Sequence, residues 1–254
     1  MSKIEWTEKT WNPVTGCIKI SPGCKNCYAE RMAKRLAGRF GYPKEDPFKV
    51  TLHEKRLDEP LKWKKPKMIF VCSMGDLFHR HVSYDFISRV WDTIFDCPQH
   101  TFLILTKRPD TMANFLMWLH HVKSRNIDYG NIWVGVSVEN QQQADVRIPY
   151  LLECDIATKF VSCEPLLSCI DLTRWFGTSF QPWHWIDKKK AEDYPLLDWV
   201  IAGGESGPGK RPVDISCLTS LKNQCKDGKV PFFMKQIDKV QKIPEDLMIR
   251  EYPK

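Results

Sequence analysis

Short apolar runs rich in β-branched and aromatic residues recur along the chain, each closed by a polar turn. They are MIFVC (68–72), TFLIL (101–105), IWVGV (132–136), KFVSC (159–163), DWVIAG (198–203) and PFFMK (231–235). Runs that are apolar on both faces suit parallel strands covered by helices. Between them lie segments with helical spacing. In YDFISRVWDTIFDC (84–97), Phe86, Ile87, Val90, Ile94 and Phe95 fall along one stripe, and Ser83 stands where an N-cap is needed. PDTMANFLMWLHHV and DISCLTSLKNQC repeat the pattern, with Asp110 and Asp214 near their starts and Gly228 after the second as a stop. Strand starts recur about every 30 residues, the cadence of repeated βα units. Counting WNPVTG (11–16) as one more strand, the pattern predicts an α/β chain with a full or partial parallel βα barrel of about six to seven strands. A doubly wound open sheet is the alternative, because periodicity does not show closure. A single domain over 1–254 is expected, with two irregular insertions. One, 41–67, carries four prolines and many charges; the other, 173–195, is rich in aromatic rings.

Composition narrows the picture. The chain has 254 residues, 43% hydrophobic and 27% charged, an ordinary profile that can bury a sizeable core. No apolar run approaches the roughly 20 residues of a membrane span. MSKIEWTEKTWNP lacks the apolar centre of a signal peptide, so a cytoplasmic location away from membranes is expected. The net charge of +7 is compatible with a nucleic-acid or nucleotide partner, although the basic runs at 62–67 and 187–193 read individually as solvated lysines. Ten cysteines would allow a disulfide framework, but chain length and a reducing compartment argue against one. Cys72, Cys97, Cys154, Cys163, Cys169, Cys217 and Cys225 are scattered, and most of them read as small buried hydrophobes.

The strand ends are unusually polar. The first apolar run leads into Ser73, Asp76, His79 and His81, and the second into Thr106, Lys107 and Arg108. The others lead into Ser137, Glu139 and Asn140, then Glu164, then Glu205 and Ser206, then Lys235 and Gln236. Each alone reads as a loop group or a helix cap. Together they point to a pocket at the carboxyl ends of parallel strands, where such folds bind ligands. The glycine-rich GGESGPG (203–209) lacks the lysine-hydroxyl ending of a phosphate loop and reads as a loop where backbone approaches a ligand closely.

Only Cys17, Cys24 and Cys27, within GCIKISPGCKNCYAE (16–30), are clustered. Three readings follow. A zinc site would need a fourth, isolated ligand. A redox dithiol would leave Cys17 unexplained. An iron-sulfur cluster can be held by three thiolates with one iron left open. Spacing alone leaves zinc and the cluster at about even odds.

WNPVTGC, SPGCKNCYAERMAKRL, MGDLFH, LTKRP, GVSVEN, EPLL, IAGGESGPG and VPFFMKQ extend from Trp11 to Gln236. As a set they resemble the phage-associated three-Cys-motif family of unassigned function, related to radical S-adenosylmethionine (SAM) enzymes. The resemblance implies a 4Fe-4S cluster on Cys17, Cys24 and Cys27, SAM at the open iron, and an external one-electron donor. SAM would be cleaved to a 5′-deoxyadenosyl radical acting on a substrate that the sequence does not identify, a nucleic acid or nucleotide among the candidates. Met74-Gly75-Asp76 stands where radical SAM enzymes carry a Gly-Gly-Glu-like segment, which makes Asp76 the candidate for the SAM ammonium. Ser73, Gly75, Lys107, Ser137 and Glu139 are further candidate SAM contacts. The spacing here is C-x6-C-x2-C rather than the usual C-x3-C-x2-C. Asn26 takes the usual aromatic position, and Tyr28, after Cys27, joins the candidate contacts instead. The competing reading is a zinc-stabilised nucleic-acid-binding protein without catalysis. Against it stand Asp76, Glu139, Glu164 and Glu205, carboxylates that would repel phosphates. A cluster kept only for sensing is a third reading.

Overall fold

The computed structural model describes residues 4–123, 130–176 and 197–253. In chain order the elements are β1 (Lys9–Trp11), β2 (Val14–Thr15), α1 (Tyr28–Arg35), β3 (Thr51–Leu52), β4 (Met68–Val71) and α2 (Tyr84–Phe95). There follow β5 (Thr101–Thr106), α3 (Pro109–Lys123), β6 (Ile132–Ser137), α4 (Gln141–Leu152), β7 (Thr158–Cys163), β8 (Trp199–Gly203), α5 (Ile215–Asp227) and β9 (Phe232–Gln236). The fold is α/β, with a seven-stranded parallel sheet in the order β1-β4-β5-β6-β7-β8-β9. Ladder order follows chain order throughout. A doubly wound sheet reverses its order at a switch point, and the described strands contain none. Among the described residues β1 and β9 are the edges of the sheet, which has the strand order of a partial parallel barrel.

Tertiary contacts divide the chain into two compact units, one of residues 1–135 and 154–157, the other of 136–153 and 158–254. The first contains β1, β4 and β5, paired in parallel with Trp11 opposite Val71 and Val71 opposite Ile104. The segment WNPVTG is not one strand. Trp11 closes β1, while Val14 and Thr15 turn away to pair antiparallel with Leu52 and Thr51. The insertion at 41–67 thus supplies β3, followed by single 3-10 turns at Glu54–Arg56 and Pro60–Lys62. The core of this unit contains Trp11, Ile69, Phe102 and the buried stripe Phe86, Ile87, Val90 and Ile94 of α2. Each such side chain contributes about 1.5–3 kcal/mol on full burial. Phe115 of α3 lies 5.1 Å from Trp91 and 6.1 Å from Phe78, ring centre to ring centre. The start of α2 is capped as expected, the Ser83 hydroxyl accepting the Phe86 N–H at 3.3 Å.

The second unit contains β7, β8 and β9, paired in parallel around Trp199, whose ring lies 5.8 Å from Phe160 and 5.9 Å from Phe233. Its indole N–H donates to the Glu251 carbonyl at 2.8 Å. Helix α5 starts at Asp214, whose carboxylate accepts the Ser216 N–H at 2.8 Å, and buries Leu218 and Leu221. Two cysteines depart from the buried-hydrophobe expectation: Cys169 and Cys217 form a disulfide. Cys169 follows β7 and Cys217 lies in the first turn of α5, with Cα atoms 4.6 Å apart, a bridging distance. The other eight cysteines form no disulfide, and Cys72, Cys97, Cys154, Cys163 and Cys225 are buried as expected. Of the aromatic insertion at 173–195, a 3-10 turn at Thr173–Trp175 with a buried Trp175 is described, and the remainder lies outside the described residues. Among the described residues, no helix is long and apolar enough to cross a membrane.

Candidate functional site

The three clustered cysteines sit on the loop that joins β2 to α1, within the first unit. Its geometry starts at Gly16, whose φ of +81° is a left-handed conformation that favours glycine. Its N–H donates to the Met74 carbonyl at 2.8 Å. Gly16 bridges Gly75, where an added Cβ would lie 3.0 Å from the Gly16 carbonyl oxygen and 3.1 Å from that of Val14. Gly75 therefore lets the loop after β4 lie against the cysteine loop, a packing role. Asn12 fixes the same loop: its side-chain oxygen accepts the Met74 N–H at 2.9 Å and the Ser73 hydroxyl at 3.2 Å. Beyond Cys17, a 3-10 turn at Pro22–Cys24 presents the second thiol, and Cys27 immediately precedes α1. All three thiols are free and half-exposed. Glu30 ties the loop to the helix through ion pairs with Lys19 at 2.8 Å and Lys34 at 3.0 Å. Tyr28 opens α1 half-buried, packed on the cluster of Ala29, Ala33, Tyr42 and Met74.

Behind the loop lies a buried ion pair. Asp76 follows β4 and is 5% exposed. Its Oδ1 accepts the Phe78 N–H at 3.1 Å and the Thr106 hydroxyl at 2.7 Å. Its Oδ2 accepts the Lys107 N–H at 3.3 Å and the Arg108 guanidinium at 2.8 Å. Those donors fill the acceptor capacity of a carboxylate. Arg108 reaches on from Asp76 to the cysteine loop, lying 3.5 Å from Cys17 Sγ and donating to the Ile18 carbonyl at 3.0 Å. Asp76 is therefore engaged as the anchor of Arg108. Arg108 is the residue that sequence reading placed at the strand end without making it a candidate contact. Its signal was the LTKRP stretch after β5.

Burial pushes the Cys17 thiol up, the Asp76 carboxylate adds to that, and Arg108 acts against both. At Cys24 burial also pushes up, but the Lys107 ammonium and hydrogen bonds from Ile20 and Ser21 outweigh it, and the net shift is down. Lys107 thus acts on the Cys24 thiol through its charge. The donor set is three soft thiols on one loop, ringed by Lys19, Lys107 and Arg108, whose charges offset those of thiolates. That is the donor chemistry an iron-sulfur cluster takes. In the arrangement shown, no three Cys, His, Asp or Glu side chains among the described residues close on one metal position.

Ser137 and Glu139 belong to the second unit. Glu139 is fully buried and pairs with Arg147 of α4 at 2.9 Å. Arg147 also donates to the Ser137 carbonyl at 2.6 Å. The two candidates thus anchor α4 to the end of β6, through an arginine that the sequence did not single out. Lys235 grips both oxygens of Glu164, at 2.6 and 2.7 Å. Arg211 pairs with Glu205, donating its backbone N–H at 2.8 Å as well. Each strand-end carboxylate therefore faces its own cation, and the expectation that bare carboxylates would repel phosphates does not hold. The close approach in the glycine-rich loop is also internal, because a Cβ on Gly204 would lie 2.2 Å from the Ile237 carbonyl oxygen.

Residues 1–248 match the family described as "Protein of unknown function (DUF5131)". No curated protein matches the chain, and no solved structure does.

Proposed function

We propose that this chain, which belongs to the DUF5131 family, is a cytoplasmic radical SAM-type iron-sulfur enzyme akin to the phage-associated three-Cys-motif proteins it resembles. The observation that carries the reading is the guanidinium of Arg108, held by buried Asp76 against Cys17 on a loop with three free thiols. Cys17, Cys24 and Cys27 would hold the cluster. Bound there, a 4Fe-4S cluster would supply the one-electron chemistry that cleavage of SAM requires, with reduction by an external donor.

The protein's own part is electrostatic and positional. Lys107 favours the thiolate at Cys24. Arg108 places a fixed cation beside Cys17 and offsets charge that burial would otherwise disfavour. Asp76 keeps that cation in place and counters its charge. Asn12 and Gly75 hold the loop after β4, which carries Asp76, against the cysteine loop. The substrate class that fits the net charge of +7 is a nucleic acid or nucleotide.

Anaerobic reconstitution with iron and sulfide tests this. The expected product is brown protein carrying iron and sulfide that yields 5′-deoxyadenosine from SAM on reduction. Replacing any one of Cys17, Cys24 and Cys27 by Ala should lower the iron content, while Cys97→Ala should not. Colourless protein holding stoichiometric zinc after reconstitution would establish the zinc-stabilised reading in its place.

A further inference from the structure

A second group of polar residues lies at the ends of β7 and β9, inside the second unit, and the cluster chemistry uses none of it. Glu164 follows β7; Lys235 and Gln236 end β9. The Glu164–Lys235 pair is 20% and 15% exposed at its side chains, so it lies at an opening and not deep in the core. Gln236 is 5% exposed. Its Nε2 donates to the Gly204 carbonyl at 3.0 Å and faces Glu164 Oε1 at 3.5 Å. Both neighbours of that nitrogen are acceptors, so the amide cannot be flipped without setting oxygen against oxygen. Its Oε1 is buried and has no hydrogen-bond partner among the described residues. Leaving a buried acceptor unmade is costly, and native structures rarely do so without a reason.

The chemistry of the three groups restricts what satisfies that oxygen. The ligand must bring a donor, which excludes an ionised phosphate or carboxylate. A ligand ammonium would compete with Lys235 for its own carboxylate. An apolar group would leave Oε1 unmade. A hydroxyl donates once and also accepts, so two neighbouring hydroxyls can give hydrogens to Gln236 Oε1 and the Glu164 carboxylate. They can also accept the remaining N–H of Lys235, leaving the ion pair intact. We propose that the ends of β7 and β9 bind the vicinal diol of a ribose, read by Gln236, Glu164 and Lys235, so that the second unit carries a nucleoside site.

This proposal stands without the cluster, and its test needs none. The full chain, with no iron or SAM added, is titrated calorimetrically with uridine, 2′,3′-dideoxyuridine and inorganic phosphate. Uridine should bind saturably, the dideoxy probe about tenfold or more weaker, and phosphate should not displace uridine; each lost hydrogen bond to a charged partner is worth roughly tenfold or more. Gln236→Leu should weaken uridine to a similar degree while leaving the dideoxy probe nearly unchanged. Thermal melts show whether that variant is folded, and if it is not, the comparison of probes on the wild type decides. Equal affinity for the two nucleosides would place recognition on the base and overturn the proposal. So would the absence of saturable uridine binding, or displacement of uridine by phosphate. None of these outcomes bears on iron content, so this failure and that of the cluster reading are separable.

Discussion

Asp76 shows how a residue's neighbours decide its role. A carboxylate after a strand can face a ligand or brace its own surroundings. Here four donors from two loops fill it. Breaking a buried ion pair by removing one partner costs about 3–5 kcal/mol. Asp76→Ala should therefore lower the unfolding free energy by an amount in that range, read as a lower urea midpoint at unchanged slope. A loss under about 1 kcal/mol would mean that the pair braces little. That Asp76 would sit at a strand end was legible from the apolar run before it. That it would spend itself on Arg108 was not, because the pairing depends on β4 and β5 lying side by side, a long-range fact. The three cysteines were legible for the opposite reason: their spacing is local and fixed by the chain itself. The titration of His53 bears on stability. His53 is half-buried, its Nε2 within 2.8 Å of the Thr15 hydroxyl, and burial with help from Arg56 lowers its pKa to about 4. The unfolded chain takes up this proton near 6.5 and the folded one only near 4. The contribution is therefore complete above about pH 6.5 and is lost as pH falls towards 4. Burial lowers His79 to about 4 as well, assisted by Arg108, so it acts in the same window. His53→Gln should reduce the loss of stability between about pH 7 and pH 4.5 without abolishing it. Urea midpoints at the two pH values measure this; an unaltered pH dependence would show that the ring is not held neutral.

At the scale of elements, period and punctuation were informative where they agreed. The six apolar runs each contain a strand, and α2, α3 and α5 lie where stripes and caps placed them. Helix α4 escaped because its signals conflict. It begins with a polar Gln141-Gln142-Gln143 front and contains Pro149, which has no N–H to donate to the preceding turn. Tertiary anchoring compensates, through Arg147 reaching Glu139 and the Ser137 carbonyl. Its start depends on Asn140, whose side-chain oxygen accepts the Gln143 N–H at 2.9 Å. Asn140→Ala should cost about 1 kcal/mol in denaturant unfolding, and Asn140→Gly only a few tenths. Equal losses for the two variants would show that Asn140 stabilises something other than the helix start. The pairing of β2 with β3 escaped for a different reason, since two-residue strands carry no period.

At the scale of the whole molecule, chain order and ladder order coincide across the sheet, which is why the cadence of strand starts was a sound guide to topology. What no cadence reveals is which distant side chains touch, and the covalent link between Cys169 and Cys217 is the clearest instance. It joins residues 48 apart, a loop for which chain entropy gives about 4 kcal/mol of stabilisation. Denatured but unreduced protein should accordingly react with a thiol reagent at the eight cysteines outside the disulfide, rising to all ten after reduction. The link also encloses β8, so the chain between the two sulfurs is a ring as well as a segment of a thread. One proteolytic cut anywhere in 170–216 opens that ring without separating the molecule. The nicked protein should migrate as a single species on a denaturing gel until a reductant divides it in two, whereas a cut elsewhere in the chain divides it at once.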